Sequence, residues 1–579
     1  LDGDAVLDAS GDTGGGSILV GGDWQGANAA VSNAHISWVG HGVSLLSDAL
    51  LNGDGGKVVV WADEATAFAG SIWARGGRDG GDGGQVEVSG KVALLYRGRT
   101  DTRAERGRNG ELLLDPLAII IQGGTGDGSN DGSLIFSGGT TPGTITADAL
   151  GPTVIFESEI EEQSKTTDII LRAQRSVTVG SNQFNYTASG NVAGETAGQL
   201  ALASNSSLLI ETRNLGVGEG GASAGIDLVT GGAHGAALQI TTRGDGDITL
   251  QTGYSNGEKV GNQIANVLLP VLGSASGSIL VRTSDGSTVQ LLGAGYTSGG
   301  SIQIVAATVT GGATLSAAGG TQIIGNYVAS SGTLAFQGGA SSISGTLTLT
   351  GNLGGDAALT LGGLDWRGGR MLAGGAVSLT GAGVIDNTSA YRYLARRLNV
   401  SGSLSLENSS GYYLDVEAGG TLHLNAGGAL TTGTANGLIY LAAGNGGTAA
   451  LSADAGAVVD VGGGTTLNLR GDSTTGNLIS GVFSLAGDGA LLLDSGLITT
   501  GADTTISGSG LLRMTNGGAL GGSHLLTIAS DFEWLGGAMS GTGTTVLSGS
   551  AQIDNTSAYK YLNRRLELTG NLAFGNNSG

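Results

Sequence analysis

The 579-residue chain contains no cysteine, which excludes a disulfide framework and thiolate chemistry. It contains only 4 prolines. Proline cannot donate to a strand ladder, so a chain that avoids it is free to be ladder throughout. Charged residues make up 13% of the chain and aromatics 4%. Disordered chains are charge-rich and poor in Val, Ile and Leu. Here 40% of residues are hydrophobic, so a packed structure is expected. No apolar run reaches the ~18 residues of a membrane helix, and membrane insertion is not expected. There is no initiator methionine, basic n-region or apolar h-region. The chain opens mid-pattern at Leu1 and reads as a segment of a longer protein.

Basic residues are also scarce. There are 26 of them against 48 acidic ones, a formal charge of −22. An acidic surface repels phosphates, which argues against nucleic acid as a partner and disfavours anionic lipid. No His-x-x-x-His pair, nucleophile elbow or phosphate loop is present. Neither a catalytic set, a metal site nor a cofactor site is expected.

What is abundant is glycine, with 113 residues. It does not recur at every third position, so collagen is excluded. The local pattern is strand, glycine turn, strand. Gln85 to Ser89, Thr346 to Thr350, Ser403 to Leu406 and Thr421 to Leu424 alternate polar and apolar residues, which places one face of each strand inward. Amphipathic helices are nearly absent. The best local candidate is 157–172, where Glu157, Glu159, Glu161 and Glu162 cluster as a short helix or an acidic loop.

Similar strand starts recur. Gly16-Ser17-Ile18, Gly56-Lys57-Val58 and Gly84-Gln85-Val86 are one such set, and Gly277-Ser278-Ile279 and Gly300-Ser301-Ile302 are another. Their intervals fit one or two turns of a solenoid with coils of about 20–28 residues. At ~20–25 residues per coil and ~4.8 Å per coil, roughly 23–29 coils would form a rod about 110–140 Å long. A longer repeat is present as well. Residues 364–411 match 532–579, with Trp366 meeting Trp534, Met371 meeting Met539, and Ile385 to Leu394 meeting Ile553 to Leu562. The expected organisation is a segment at 1–122, a solenoid at 123–345 holding the acidic loop or helix, and a solenoid at 346–579 holding the repeat.

Residues 15–121 resemble the region of filamentous-haemagglutinin-like large exoproteins that follows their secretion domain. The resemblance rests on Gly16-Ser17-Ile18-Leu19-Val20-Gly21-Gly22-Asp23-Trp24-Gln25-Gly26, Gly55-Gly56-Lys57-Val58-Val59-Val60-Trp61-Ala62-Asp63, Ala74-Arg75-Gly76-Gly77, 80–90, and Leu112-Leu113-Leu114-Asp115-Pro116. It implies an all-β, right-handed parallel β-helix. It also implies secretion to the surface of a Gram-negative bacterium through an outer-membrane two-partner-secretion transporter. The implied role is adhesion to a host-cell surface or polysaccharide, aggregation or biofilm formation. A polysaccharide-active β-helix enzyme and a passive stalk of a contact-dependent toxin are the alternatives.

Candidate ligand-contacting residues fall into several groups, each with a plainer reading beside it. Arg243-Gly244-Asp245 and Arg470-Gly471-Asp472 would suit receptor engagement, or are ordinary strand-ending turns. Tyr391, Tyr393, Arg396 and Arg397, repeated as Tyr559, Tyr561, Arg564 and Arg565, are the most concentrated aromatic and basic features. Tyrosine faces stack on sugars and arginine pairs with carboxylates. The alternative is a capping strand or short helix whose Tyr and Leu cover the core while Arg stays solvated. Arg97, Arg99, Arg103, Arg106 and Arg108 form a basic patch with Asp101 and Glu105, read as an exposed loop. The Asp-Gly cluster at 124–132 reads as a solvated turn rather than a calcium site.

Overall fold

A computed structural model of the chain describes residues 1–125, 153–186, 198–213, 225–229, 238–260, 265–284, 286–386, 391–407, 413–434, 437–444, 446–447, 449–471, 476–554 and 558–575. The fold is an all-β parallel β-helix, with 59% of residues in strands and 2% in helix. It forms two compact units, Leu1–Gly320 and Thr321–Gly579.

In the first unit the coils build three parallel ladders. One ladder runs through Ser17–Val20, Lys57–Ala62, Gln85–Gly90, Glu111–Leu114, Asp168–Ala173, Leu208–Thr212, Ile248–Thr252 and Ile279–Arg282. A second includes Ala118–Gln122, Ser176–Val179, Gly225–Asp227, Val267–Leu269 and Thr288–Leu291. A third starts with Val6–Asp8, Ser44–Leu46, Ser71–Trp73 and Arg99–Asp101. It resumes with Gln199–Ser204, Gln239–Arg243, Val271–Ser274, Gly295–Ser298 and Thr314–Ala317.

The glycine-led strand starts are in register. Ser17 pairs with Lys57 and Lys57 with Gln85, and Ile279 pairs with Ile302. Each interval is therefore one coil. The coil length of about 20–28 residues expected from the sequence holds poorly in this unit, where Ser17 already pairs with Lys57 on the next coil. Leu208 pairs directly with Ile248, so that coil is much longer than expected. Inward positions stack the same way. Val58, Val86, Leu112, Ile169, Leu208, Ile248 and Ile279 form one buried aliphatic column. Burying each such side chain is worth about 1.5–3 kcal/mol, and the total accumulates coil by coil.

The acidic segment at 157–172 divides in two. Glu157–Ser164 is a helix, and Asp168–Ala173 is a strand of the first ladder. The helix stands where the third ladder lacks one strand. Its buried side chains replace the missing strand's acceptors. Gln163 Oε1 accepts from Thr100 N at 2.6 Å on one side. Glu161 Oε1 accepts from Ala201 N at 2.8 Å, and Ser164 Oγ from Ala203 N at 2.9 Å, on the other. Glu157 Oε2 accepts from Gly124 N and Asn185 N. The acidic cluster is thus internal, because unpaired backbone N–H groups inside a fold need acceptors.

The second unit has shorter coils, as the pairing of Ser342 with Thr360 and of Thr360 with Ser378 shows. The sequence repeat is also a structural repeat. Trp366 pairs with Ile385 on the next coil, and Trp534 with Ile553. Met371 pairs with Leu394, and Met539 with Leu562. Both tryptophans and both methionines are buried.

Candidate functional site

A group of charged side chains lies on the outward face of the first ladder. Arg172, Glu211, Gln251 and Arg282 pair in register on successive strands, and Asp115, just past the end of its strand, accompanies them with its N–H on Ser89 Oγ at 3.1 Å. On a bare strand this column would face water. Here two loops cover it. One is the 3-10 turn Trp24–Gly26. The other is the antiparallel hairpin formed by Tyr254–Ser255 and Glu258–Lys259.

The turn is shaped by Gly26, at φ +61°, where a Cβ would lie 2.6 Å from the Trp61 indole. Its Gln25 N donates to Glu87 Oε2 at 2.7 Å. Arg213 links Gln25 Oε1 at 3.1 Å to Asp115 Oδ2 at 2.6 Å. Arg172 Nε donates to Glu211 Oε1 at 2.5 Å, and Glu211 also accepts from Gln251 and from Asn256 N. Arg282 donates to Gln251 Oε1 and Gly257 O, and lies 4.3 Å over the Tyr254 ring. The two loops meet where Gln25 Nε2 donates to Asn256 Oδ1 at 3.3 Å.

Burial pushes Glu87 up to about 7 and Asp115 up to about 6. These are proton-binding groups near neutrality, but they sit beneath the loops and hold them down. Glu111 and Asp168 pair directly in register beside this network. Burial raises both, Asp168 to about 6. Asp168 is tied to the next coil, since its Oδ1 accepts from Ser207 N at 3.0 Å.

The repeated aromatic and basic group divides between two faces. Tyr391 is 38% exposed, Tyr559 81% and Tyr561 62%, with Tyr393 half-buried. The ring centroids lie 6.5 Å apart in the first pair and 6.4 Å in the second. Arg370 stacks on Tyr393 at 4.2 Å and pairs with Glu417. The arginines correct the expectation of solvated side chains. Arg396 is buried and donates to the carbonyls of Leu372 at 2.5 Å, Gly375 at 3.2 Å and Gly355 at 3.2 Å. Burial lowers its pKa to about 10. Arg564 repeats the arrangement on Ser540 O, His524 O and Thr544 O. Arg392 is buried too, donating to Arg367 O and Asp386 O. Only Arg397 and Arg565 face outward, paired with Asn399 and Glu567.

In the first Arg-Gly-Asp triplet, Arg243 ends a strand, Gly244 turns at φ +60°, and Asp245 is exposed with its N–H on Asn205 Oδ1 at 3.3 Å. In the second, Arg470 is paired with Asp494 at 2.6 Å and stacked 4.6 Å over Tyr440. Gly471 follows it, and Asp472 lies outside the described residues.

The basic patch is also divided. Arg97 is packed on Phe156 and paired with Glu159 at 2.9 Å, which corrects its reading as an exposed loop residue. Arg99 and Arg103 are exposed, Arg103 in a pair with Asp101, and Arg106 and Arg108 lie in the exposed loop. Of the Asp-Gly cluster, only Gly124 and Thr125 fall within the described residues. Among those residues no group of three acidic, His or Cys side chains is placed to hold a metal ion.

No protein-family model and no curated protein matches the chain.

Proposed function

We propose that this chain is a non-enzymatic adhesive scaffold, a β-helix that displays repeated contact sites for cell surfaces or polysaccharide. The observation that carries this reading is the twice-presented tyrosine pair. Tyr391 with Tyr393, and Tyr559 with Tyr561, keep nearly the same ring spacing on equivalent coils. Similar weak sites repeated on one stiff support add avidity without any new contact chemistry. The buried arginines beneath them fix the strands that carry the rings.

The parallel β-helix accords with what the filamentous-haemagglutinin-like resemblance implies. On that basis we propose secretion to the surface of a Gram-negative bacterium through an outer-membrane two-partner-secretion transporter, and a role in adhesion, aggregation or biofilm formation. A passive stalk for a toxin module would share the fold and lack the retention.

One observation favours a second reading, a polysaccharide-active enzyme. Glu111 and Asp168 are adjacent carboxylates with raised pKa values beside an outward groove. Paired carboxylates of this kind serve as acid and base in glycoside hydrolysis. Retention of the chain on polysaccharide without release of reducing ends supports the scaffold. Release of ends that stops in Glu111→Gln supports the enzyme.

A further inference from the structure

Outward columns of a solenoid ladder face water and are normally polar. In the first unit Asp168, Ser207, Asp247, Ser278 and Ser301 follow that rule. Each side chain accepts the backbone N–H of the next member, at 3.0, 3.1, 2.6 and 3.2 Å in turn. The column beside it does not follow the rule. Leu113, Ile170, Leu209, Thr249 and Leu280 stand in register on five successive strands. Ile170, Leu209 and Leu280 remain partly open to solvent. On the far side of this strip run Arg172, Gln251 and Arg282, and the covering loops bring up Trp24 and Asn256. The groove so formed has a volume of about 370 Å³. On the next strand the strip gives way to Gln303, which pairs with Leu280.

We propose that this strip binds a neutral, equatorially linked oligosaccharide of the glucan or N-acetylhexosamine type. Such a chain has flat faces of C–H groups and a rim of hydroxyls. The strip is its complement, an apolar floor one side chain wide between polar edges. Its rungs recur at the strand spacing of about 4.8 Å, close to the length of one pyranose unit in such a chain. Trp24 lines the groove with an indole, a surface on which sugar rings stack. The Glu111 carboxylate accepts from hydroxyls, the Arg282 guanidinium donates to them, and the Thr249 hydroxyl does either.

Two other occupants fit worse. An extended peptide needs backbone partners, and the ladder directs its N–H and C=O groups to neighbouring strands rather than outward. A polyanionic glycan would lie against Glu111, Asp168 and Asp247. The inference rests on the glycan-contacting reading above and adds to it a site and a sugar class.

The test is calorimetric titration of the full chain with cellohexaose, chitohexaose, maltohexaose and oligogalacturonate. Binding is expected for cellohexaose or chitohexaose, about tenfold or more weaker for maltohexaose and oligogalacturonate, and weakened about tenfold or more by Leu209→Asp. Should Leu209→Asp fail to fold, Thr249→Arg at a half-exposed position on the same floor replaces it, with unchanged melting as the control. Absence of binding to both favoured sugars, or equal binding by a folded strip variant, overturns the proposal. Whole-polysaccharide retention that survives the strip variants overturns this site and leaves the adhesive reading standing. Loss of retention by the unaltered chain removes that reading as well.

Discussion

The backbone N–H of Gln25 donates to Oε2 of Glu87, a residue remote from it in sequence. The contact fastens the Trp24–Gly26 turn onto the third strand of its ladder, and it brings a fully buried carboxylate with it. Burial raises Glu87 from 4.5 to about 7. A carboxylate raised on folding binds protons more tightly in the folded state. Its stabilising contribution is complete below about 4.5 and is lost as pH rises through about 7. The corresponding range for Asp115 is 3.8 to about 6.

Glu87→Gln keeps an acceptor for Gln25 and removes the charge. The expected outcome is unchanged melting at pH 4.5 and increased stability at pH 8, by about 3 kcal/mol at most. Thermal melts across pH 4–8 check this. A variant less stable than the parent at pH 8 would contradict the assignment.

Arg396 closes carbonyls from two preceding coils, so truncating it leaves several buried acceptors without donors. Arg396→Met is expected to destabilise the second unit by about 3–5 kcal/mol. Arg397→Ala, one residue on and facing water, is expected to stay within about 0.5 kcal/mol. Hydrogen exchange resolves the effect locally. Amides around 353–376 should lose protection in the first variant and keep it in the second.

The helix Glu157–Ser164 holds its place through acceptors rather than apolar packing alone. Glu161→Ala strips Ala201 N of its partner and is expected to cost about 1–3 kcal/mol. Glu161→Gln retains an oxygen and should recover most of that loss. Comparative melting of the two variants checks the claim, and equal loss in both would point to the charge instead.

Tyr559 and Tyr561 are too exposed to support the core. Their double alanine variant should melt within a few degrees of the parent. Retention on the target surface should fall severalfold, and further when Tyr391 is also changed, because the pairs act additively through avidity. Equal retention by all variants would mean that the rings are bystanders.

Much of this architecture was legible in the residues. The Ser17, Lys57 and Gln85 strand starts are in register as their glycine-led pattern implies, and the Trp366 and Trp534 repeat folds twice in the same way. The buried arginines carried a signal too. Arg392, Leu394, Arg396, Leu398 and Val400 share one parity, so period-two alternation already places both arginines inward. The usual preference of arginine for water works against that parity. Glu87 carried no such signal. Its parity is outward, and it is buried only because the Trp24–Gly26 turn, formed two coils earlier, folds over it. The same holds for the groove, whose edges come from that turn and from the Tyr254–Lys259 hairpin, far apart in the chain. The role of Glu161 was hidden because an interrupted ladder cannot be seen in one coil's sequence.

The measurement that tests the central claim most directly incubates the full chain with a panel of polysaccharides and cultured cells, scoring retention and new reducing ends in the same samples. The adhesive account expects retention that depends on the tyrosine pairs, with no new reducing ends. Release of reducing ends, abolished by Glu111→Gln, would contradict it and make the chain an enzyme.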